Sequence, residues 1–423
     1  MNKMRHLIGM ILAGLLVCAP LAGAAAPSGE FTTEKLANGI TFKYKVLKDD
    51  PLVSINAKFP IGFYHQSVKG VPHLMEHLVF RGGSGYKFND IAAVTTHQGG
   101  YFNGATSFYA TTYNYVVPKA KFGEALKVFN GSLWKTDLTP ENVNFEKTIV
   151  THELDMGYAR YNYYAAYRCF YPEMDISRQT VEAATPALLK DFYTTFYQPE
   201  NATYIISGDF DPKEVKAQLE QLSNGYGRLD AAKPEVTAFD LPAGEQVESR
   251  NLYPFQYQLV MAYQWKGLSV KDRMLMTLLS YAYGYDSKID YEHNQYKTYF
   301  TLARTIKDQS YFGLFYLERN QPFTPAGYAA EQETMRQYRR QFKKMDFAAR
   351  VKELLKEVEM EKVQSRESAV DAAQYELNSL DPENISDAEL AILKKLTTKD
   401  LEQFVDAYLS QPPTTWFLVK TTK

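Results

Sequence analysis

One pattern occurs twice in this chain, and it constrains the fold more than any other feature. Thr185, Leu189, Phe192, Phe196 and the run Thr203-Tyr204-Ile205-Ile206 return 212 residues later as Thr397, Leu401, Phe404, Tyr408 and Thr415-Trp416-Phe417-Leu418. Each copy reads as an amphipathic helix, a Pro-containing turn and a β-strand. One such unit closes each half of the chain, so the reading is a duplicated α+β domain. The junction falls in the Pro-, Ala- and Gly-bearing stretch from Asp230 to Gln246. That predicts a first domain over residues 25–232, a linker over 233–246 and a second domain over 247–423. Strands are expected in the second half near Gln256–Gln264, Tyr299–Thr305 and Tyr311–Leu317. Helices are expected near Ala329–Lys343 and as one long element over Ala348–Leu377.

The first 24 residues stand apart from this plan. Lys3, Arg5 and His6 precede an apolar run from Leu7 to Ala19, and Ala22-Gly23-Ala24 has the small-residue pattern of a signal-peptide cleavage site. No later stretch is long and apolar enough to span a bilayer. Cys18 lies within the signal, so Cys169 is alone in the mature chain and no intrachain disulfide can form. A bacterial periplasm is the expected location, with secretion second. The remaining roughly 400 residues exceed what one core usually organises, in keeping with two domains. A net charge of −2 leaves no electrostatic footprint for nucleic acid. The 32 Tyr and 25 Phe read mainly as strand and core residues, although a peptide-binding chamber would use them too.

Chemistry enters at His73-Leu74-Met75-Glu76-His77. Residues four apart on a helix lie one turn, about 5.4 Å, apart along the axis, so both imidazoles can converge on one ion. Glu76 sits beside them and can hold a water without being a ligand. Gly70-Val71-Pro72 suits a helix start and Gly82-Gly83 a stop, while Leu74, Met75, Leu78, Val79 and Phe80 make the helix half-buried. With only 7 His in the chain, such a run is rarely fortuitous. Further on, Glu146 and Glu153 are seven apart and share a helical face. Glu153 reads as the third ligand and Glu146 as a group orienting a ligand or a water. His152 points some 100° away round the helix and is left out. Two His and one Glu leave a coordination position open, as a catalytic zinc site requires.

These residues resemble the inverted-motif zinc peptidases, the family of pitrilysin, insulin-degrading enzyme and mitochondrial processing peptidase. The resemblance covers nearly the whole mature chain. It runs from Leu36-Ala37-Asn38-Gly39-Ile40 through Gly70–Phe80, then Gly99-Gly100-Tyr101-Phe102-Asn103-Gly104-Ala105-Thr106 with Thr111 and Tyr113. It continues in the closing segment from Phe192 to Asp209, with Tyr197–Ala202 and Gly208-Asp209. The resemblance implies an α+β fold of two homologous domains, each a mainly antiparallel sheet covered by helices, the whole chain forming half of a clamshell peptidase. It implies one Zn2+ per chain held by His73, His77 and Glu153, with Glu76 as general base and Glu146 in support. It also implies a homodimer or a heterodimer with a related chain.

Phe102 to Val117 alternates and is rich in Thr, Tyr and Phe, as a sheet strand should be. In the family the corresponding strand is an exposed edge that takes up peptide by β-addition, which implies substrate-binding roles for Asn103 and Ala105. Gly104 stands where the family usually shows Ala. Many relatives also hold substrate with an Arg and a Tyr seven apart in the second domain. Arg304 and Tyr311 have that spacing but read better as paired strands around a Lys307-Asp308-Gln309 turn. If Tyr299 is the matching Tyr, Glu292 or His293 takes the Arg position. The tyrosines 161, 163, 164 and 167 read as an aromatic helix face. Two functional classes follow: an exported zinc endopeptidase acting on unfolded peptides or small polypeptides, or a non-catalytic peptide-binding subunit of the same fold.

Overall fold

The computed structural model describes residues 30–65, 68–163, 168–172, 176–223, 236–250, 252, 255–284, 297–365, 368–381 and 384–422, without the side chains of 155–163 and 297–298. The N-terminal apolar run, Glu292, His293, Tyr164 and Tyr167 fall outside that description, as do the side chains of Tyr161 and Tyr163. The first half contains strands β1 (Thr32–Lys35), β2 (Thr41–Val46) and β3 (Leu52–Phe59), then helix α1 (Val71–Val79). A short hairpin, β4 (Gly82–Gly83) and β5 (Tyr86–Lys87), precedes β6 (Tyr101–Thr106) and β7 (Thr111–Pro118). Helices α2 (Phe122–Trp134), α3 (Pro140–Tyr163) and α4 (Pro186–Phe196) lead to β8 (Thr203–Gly208). The second half has β9 (Gly244–Arg250), β10 (Tyr257–Lys266), α5 (Val270–Ala282), β11 (Lys297–Ile306) and β12 (Gln309–Glu318). Helices α6 (Pro325–Arg340), α7 (Phe347–Gln364), α8 (Ala369–Ser379) and α9 (Thr398–Phe404) precede β13 (Thr415–Thr421).

Beside the β4-β5 hairpin, two larger sheets result, ordered β1-β2-β8-β3-β7-β6 and β11-β12-β10-β13-β9. Without β1 they have one topology. β8 lies parallel to β2 and antiparallel to β3, as β13 lies parallel to β9 and antiparallel to β10. The register agrees as well: Val53 faces Gly208 and Tyr257 faces Lys420, so a shift of 204 residues in the first strand and 212 in the second carries one pair into the other (257 minus 53, 420 minus 208). Both closing helices start on the same device. Thr185 and Thr397 each accept a backbone N–H, from Leu188 and Asp400, which satisfies a donor the helix start leaves orphaned. The fold is therefore α+β, a duplicated pair of mainly antiparallel sheets with helices.

Three details differ from the sequence reading. Phe102–Val117 is a hairpin, because Ser107 turns the chain by bonding Ala110 through both its N–H and its hydroxyl. The stretch over Ala348–Leu377 is two helices, because Ser368 caps a new start by accepting from the Asp371 N–H. Gly244, Glu245 and Gln246, placed in the linker, are the first residues of β9.

One face of the first sheet carries Val53, Ile55, Ala57, Phe59, Tyr113, Tyr115, Tyr204 and Ile206 into a core with α1–α4. Its other face mixes Ser54, Asn56, Lys58, Asn114 and Ser207 with Val116 and Ile205, because strand side chains alternate. Helix α8 from the second half lies on that face. Ala369 donates its N–H to Asp50 (2.8 Å) and accepts from Ser207, Lys58 reaches Leu377 O (3.3 Å), and Lys43 pairs with Glu376. The exchange is mutual. Phe63, Phe108, Phe170 and Tyr171 of the first half join Val260, Phe300, Phe315 and Val419 on the second sheet.

Candidate metal centre

Gly70 starts α1 with φ of 95°, a conformation that favours glycine. Pro72 follows within the first turn, where its missing N–H costs nothing. Val71, Leu74, Met75, Leu78 and Val79 bury one side of the helix in the core. The opposite side carries His73, Glu76 and His77 toward α3 and β6. On α3, Val143, Val150 and Leu154 enter the same core, which turns Glu146 and Glu153 onto α1. His152 is exposed.

The ligand atoms meet. His73 Nε2 and His77 Nε2 are 3.2 Å apart, and Glu153 Oε2 lies 3.7 Å from the first and 3.5 Å from the second. Zinc held tetrahedrally at about 2.0–2.1 Å sets neighbouring donors about 3.3–3.4 Å apart. His73, His77 and Glu153 fit that spacing. Glu153 Oε2 is also shielded from solvent with no hydrogen bond, the state of an acceptor awaiting a cation. Electrostatics agree. Burial opposes charge on His77, yet Glu146 and Glu153 outweigh it and push its pKa up to about 10. Burial and the His77 charge hold His73 well below the usual range. The carboxylates thus call for positive charge where two imidazoles cannot both supply it.

Around this trio, Glu146 Oε2 lies 3.1 Å from His77 Nδ1, leaving Nε2 to face the ion site. Arg81 places Nε 3.5 Å from the other Glu146 oxygen and stacks 4.2 Å over Phe145. Glu76, 5% exposed, accepts a 2.6 Å hydrogen bond from Thr106 Oγ1. Its burial raises its pKa to about 7, against the lowering effects of His77 and Thr106. A carboxyl near neutrality can both take and return a proton. The sequence reading did not single out Arg81 or gave Thr106 a role. Thr106 lay within the quoted glycine-rich stretch, but nothing local shows that it meets a residue 30 positions earlier.

Strand β6 ends the first sheet. Ser107 N–H bonds Ala110 O, so the pairs Ala105–Thr112 and Asn103–Asn114 exchange the ladder bonds below it. The main-chain groups of Phe102 and Gly104 then face the free edge. Side chains alternate likewise: Phe102 packs on Phe80, and Gly104 and Thr106 adjoin Glu76. Asn103 and Ala105 point to the opposite face, where Asn103 is exposed. Arg304 and Tyr311 are register partners across a Lys307-Asp308 turn, with Gln309 already in β12. Arg304 is buried against Tyr64, Phe108 and Tyr171, and Tyr311 donates to Phe239 O. The Tyr299 hydroxyl is bonded to Glu331 inside the second core.

Known proteins are similar to this chain in sequence and fold. The description "Insulinase (Peptidase family M16)" matches residues 59–166, and "Peptidase M16 inactive domain" matches residues 183–311. The chain belongs to peptidase family M16. Over 232 residues it is 29% identical to the probable zinc protease PqqL of Escherichia coli (strain K12), a match covering 50% of this chain and 25% of that one. It is 23% identical over 241 residues to zinc protease PqqE of Helicobacter pylori, covering 52% and 54%. The matched region thus spans between a quarter and about half of these relatives. In structure, a protease from Helicobacter pylori superposes with a TM-score of 0.73 at 18% identity, covering 94% of this chain and all of that one. Pitrilysin superposes with a TM-score of 0.65 at 15% identity, covering 94% of this chain and 46% of its own. Among the described residues no helix is long and apolar enough to cross a membrane.

Proposed function

We propose that the chain is a zinc metalloendopeptidase hydrolysing unfolded peptides or small polypeptides, with His73, His77 and Glu153 holding one Zn2+. The observation that carries this reading is the convergence of those three donors with the buried Glu76 carboxyl beside them. A bound zinc ion supplies a Lewis acid and lowers the pKa of water toward neutrality. Glu76 takes the proton of the attacking water and returns it to the leaving amine. Glu146 fixes the His77 tautomer through Nδ1. Peptide adds as a strand to the free edge of β6, on the main chain of Phe102 and Gly104, with Asn103 and Ala105 flanking it on the far face.

The catalytic domain over 25–232, the linker over 233–246 and a second domain without metal ligands over 247–423 belong to this proposal. So do the signal peptide over 1–24 and a periplasmic location, supported by likeness to the first half of the periplasmic protease PqqL from Escherichia coli. A second copy or a related chain as partner is supported by pitrilysin's length, about twice the span matched here. The test is zinc content measured beside cleavage of a quenched peptide, with and without chelator. Activity that chelation abolishes and Glu76→Gln removes is the expected outcome. A zinc-loaded protein that binds peptide but never cleaves it would instead be the non-catalytic subunit.

A further inference from the structure

Arg304 belongs to β11 in the second half, yet its guanidinium lies among residues of the first. The residue is 4% exposed, and its Cζ sits 4.6 Å from the Tyr64 ring, 5.2 Å from Phe108 and 4.1 Å from Tyr171. One of its Nη groups donates to the Phe170 carbonyl. Burying a guanidinium is costly, and the stacked rings and the carbonyl replace the water it gives up. An apolar side chain would fill the same space without that cost, so packing alone does not call for arginine.

The three rings come from three segments, and each segment adjoins a different part of the candidate metal centre. Tyr64 precedes α1, which carries His73, Glu76 and His77; Phe108 lies in the turn leaving β6; Tyr171 follows α3, which carries Glu153. The segments are tied to one another as well. Phe63 and Tyr64 donate their N–H groups to Ser107 O (3.0 Å) and Phe108 O (3.1 Å), and Thr111 Oγ1 donates to Ile61 O (2.8 Å). Gly62 lets the two backbones touch, since a Cβ there would lie 2.1 Å from Ser107 O and 2.8 Å from Ala110 N. Phe108 stacks on Tyr171 at 4.4 Å, and Lys69 Nζ donates to Pro172 O (3.0 Å) just before Gly70 starts α1. From the second sheet Tyr311, the register partner of Arg304, meets the Phe170 ring edge-on at 6.2 Å.

We infer that Arg304 is a positioning residue: it pins the turn of the β6–β7 hairpin against the segment entering α1, and so holds the strand edge that receives peptide in register with the metal centre. This rests on the peptidase reading of that site. The second half then contributes to peptide binding at one remove. A peptide binds only those molecules whose hairpin is in the competent pose, so apparent affinity scales with their fraction. Arginine suits the task because its planar fork stacks on rings and donates at the same time, whereas lysine offers a point charge.

The test uses the full-length protein with the variants Arg304→Met, Arg304→Lys and Phe108→Leu. Each is assayed for zinc content, for kcat and KM on a quenched peptide, and for hydrogen exchange of the 101–118 amides beside those of β10 and β13. Affinity for the uncleaved peptide is read in a Glu76→Gln background. Arg304→Met should raise KM and the peptide Kd about 10-fold, as a fall of the competent fraction to about one tenth implies. Its kcat and bound zinc should stay as in the parent, and exchange should quicken in 101–118 but not in β10 and β13. Arg304→Lys should recover part of the affinity, and Phe108→Leu should lose part of it. Parent-like KM and exchange in Arg304→Met, or exchange quickened equally in both sheets, would overturn the inference and leave the peptidase reading intact. A parent protein without chelator-sensitive cleavage would instead overturn the peptidase reading. Should Arg304→Met fail to fold, the other two variants decide, and parent-like KM and exchange in both would count against Arg304.

Discussion

The two halves solve the same packing problem in the same way until the helix meets the edge strand. In both, a helix follows the second strand of the five-stranded plan and lies beside the sheet's last strand: α1 by β6, α5 by β11. The shared register makes Ala303 the counterpart of Thr106 and Thr301 that of Gly104. In the second half the polar groups at this contact satisfy one another. Ala303 N–H donates to Ser280 Oγ, Thr301 N–H to Tyr283 O, and Thr301 Oγ1 to Leu279 O. That edge is closed by its own helix. In the first half the corresponding helix offers Glu76 and two imidazoles, and among the described residues no main-chain bond from α1 closes the β6 edge. A duplicated scaffold thus carries a candidate metal centre in one copy and plain structure in the other through a few side chains at one helix–strand contact.

Exchanging those side chains is the sharpest way to break this contrast. His73→Ala and His77→Ala are expected to lose bound zinc and peptide cleavage together, as metal analysis beside the assay would show. Glu76→Gln should lose about 100- to 10,000-fold in turnover with zinc retained, whereas Ser280→Ala should leave kcat unchanged. The latter should instead cost about 1 kcal/mol in urea unfolding, the worth of one buried hydrogen bond. A fall in kcat with Ser280→Ala would show that the second contact is more than structural. Glu146→Gln is expected to weaken zinc about 10- to 100-fold, since it withdraws the partner of His77 Nδ1, and a chelator competition would measure it.

A pH profile sharpens the picture further. Burial holds the Glu76 carboxyl near 7, and the charge of a bound divalent ion lowers it. In the role proposed for it Glu76 works deprotonated, so kcat/KM should be lost as pH falls through that pKa, with the acid limb below pH 7. The smallest effect separates the two capping threonines. Thr185 faces Leu188, while Thr397 forms a reciprocal box with Asp400, whose pKa Lys271 and Thr397 lower to about 2. The stability this adds is present above the ordinary carboxyl value of 3.8 and disappears as pH falls through about 2. Because the pair is largely solvated, Asp400→Asn should cost only about 0.2–1 kcal/mol at neutral pH, with the difference gone at pH 2 in denaturant titrations.

Much of this was legible because it is periodic. The i, i+4 imidazoles, the i, i+7 carboxylates and the 212-residue repeat are spacings, and spacings survive folding unchanged. The split of 348–377 at Ser368 and the turn at Ser107 were missed because a serine's hydroxyl can cap or turn the chain at positions where its neighbours continue a pattern. Thr106 and Arg81 could not be assigned from local sequence, since their partners Glu76 and Glu146 reach them only through tertiary packing. For the same reason the face to which Asn103 points waited on the β6–β7 register.

Helix α8 carries a consequence for how the chain is made. The last strand of the first sheet ends at Gly208, and the helix that covers its far face begins at Ala369, 161 residues later (369 minus 208). At about 5–20 residues per second, ribosomes deliver that cover about 8–30 s after the sheet could close. Ser54, Asn56, Lys58 and Asn114 on the waiting face can hydrogen-bond water meanwhile, whereas Phe63, Phe108, Phe170 and Tyr171 wait for the second sheet to cover them. A fragment ending near residue 232 should therefore lack both the clamp that finishes its sheet and the cover of those aromatic rings.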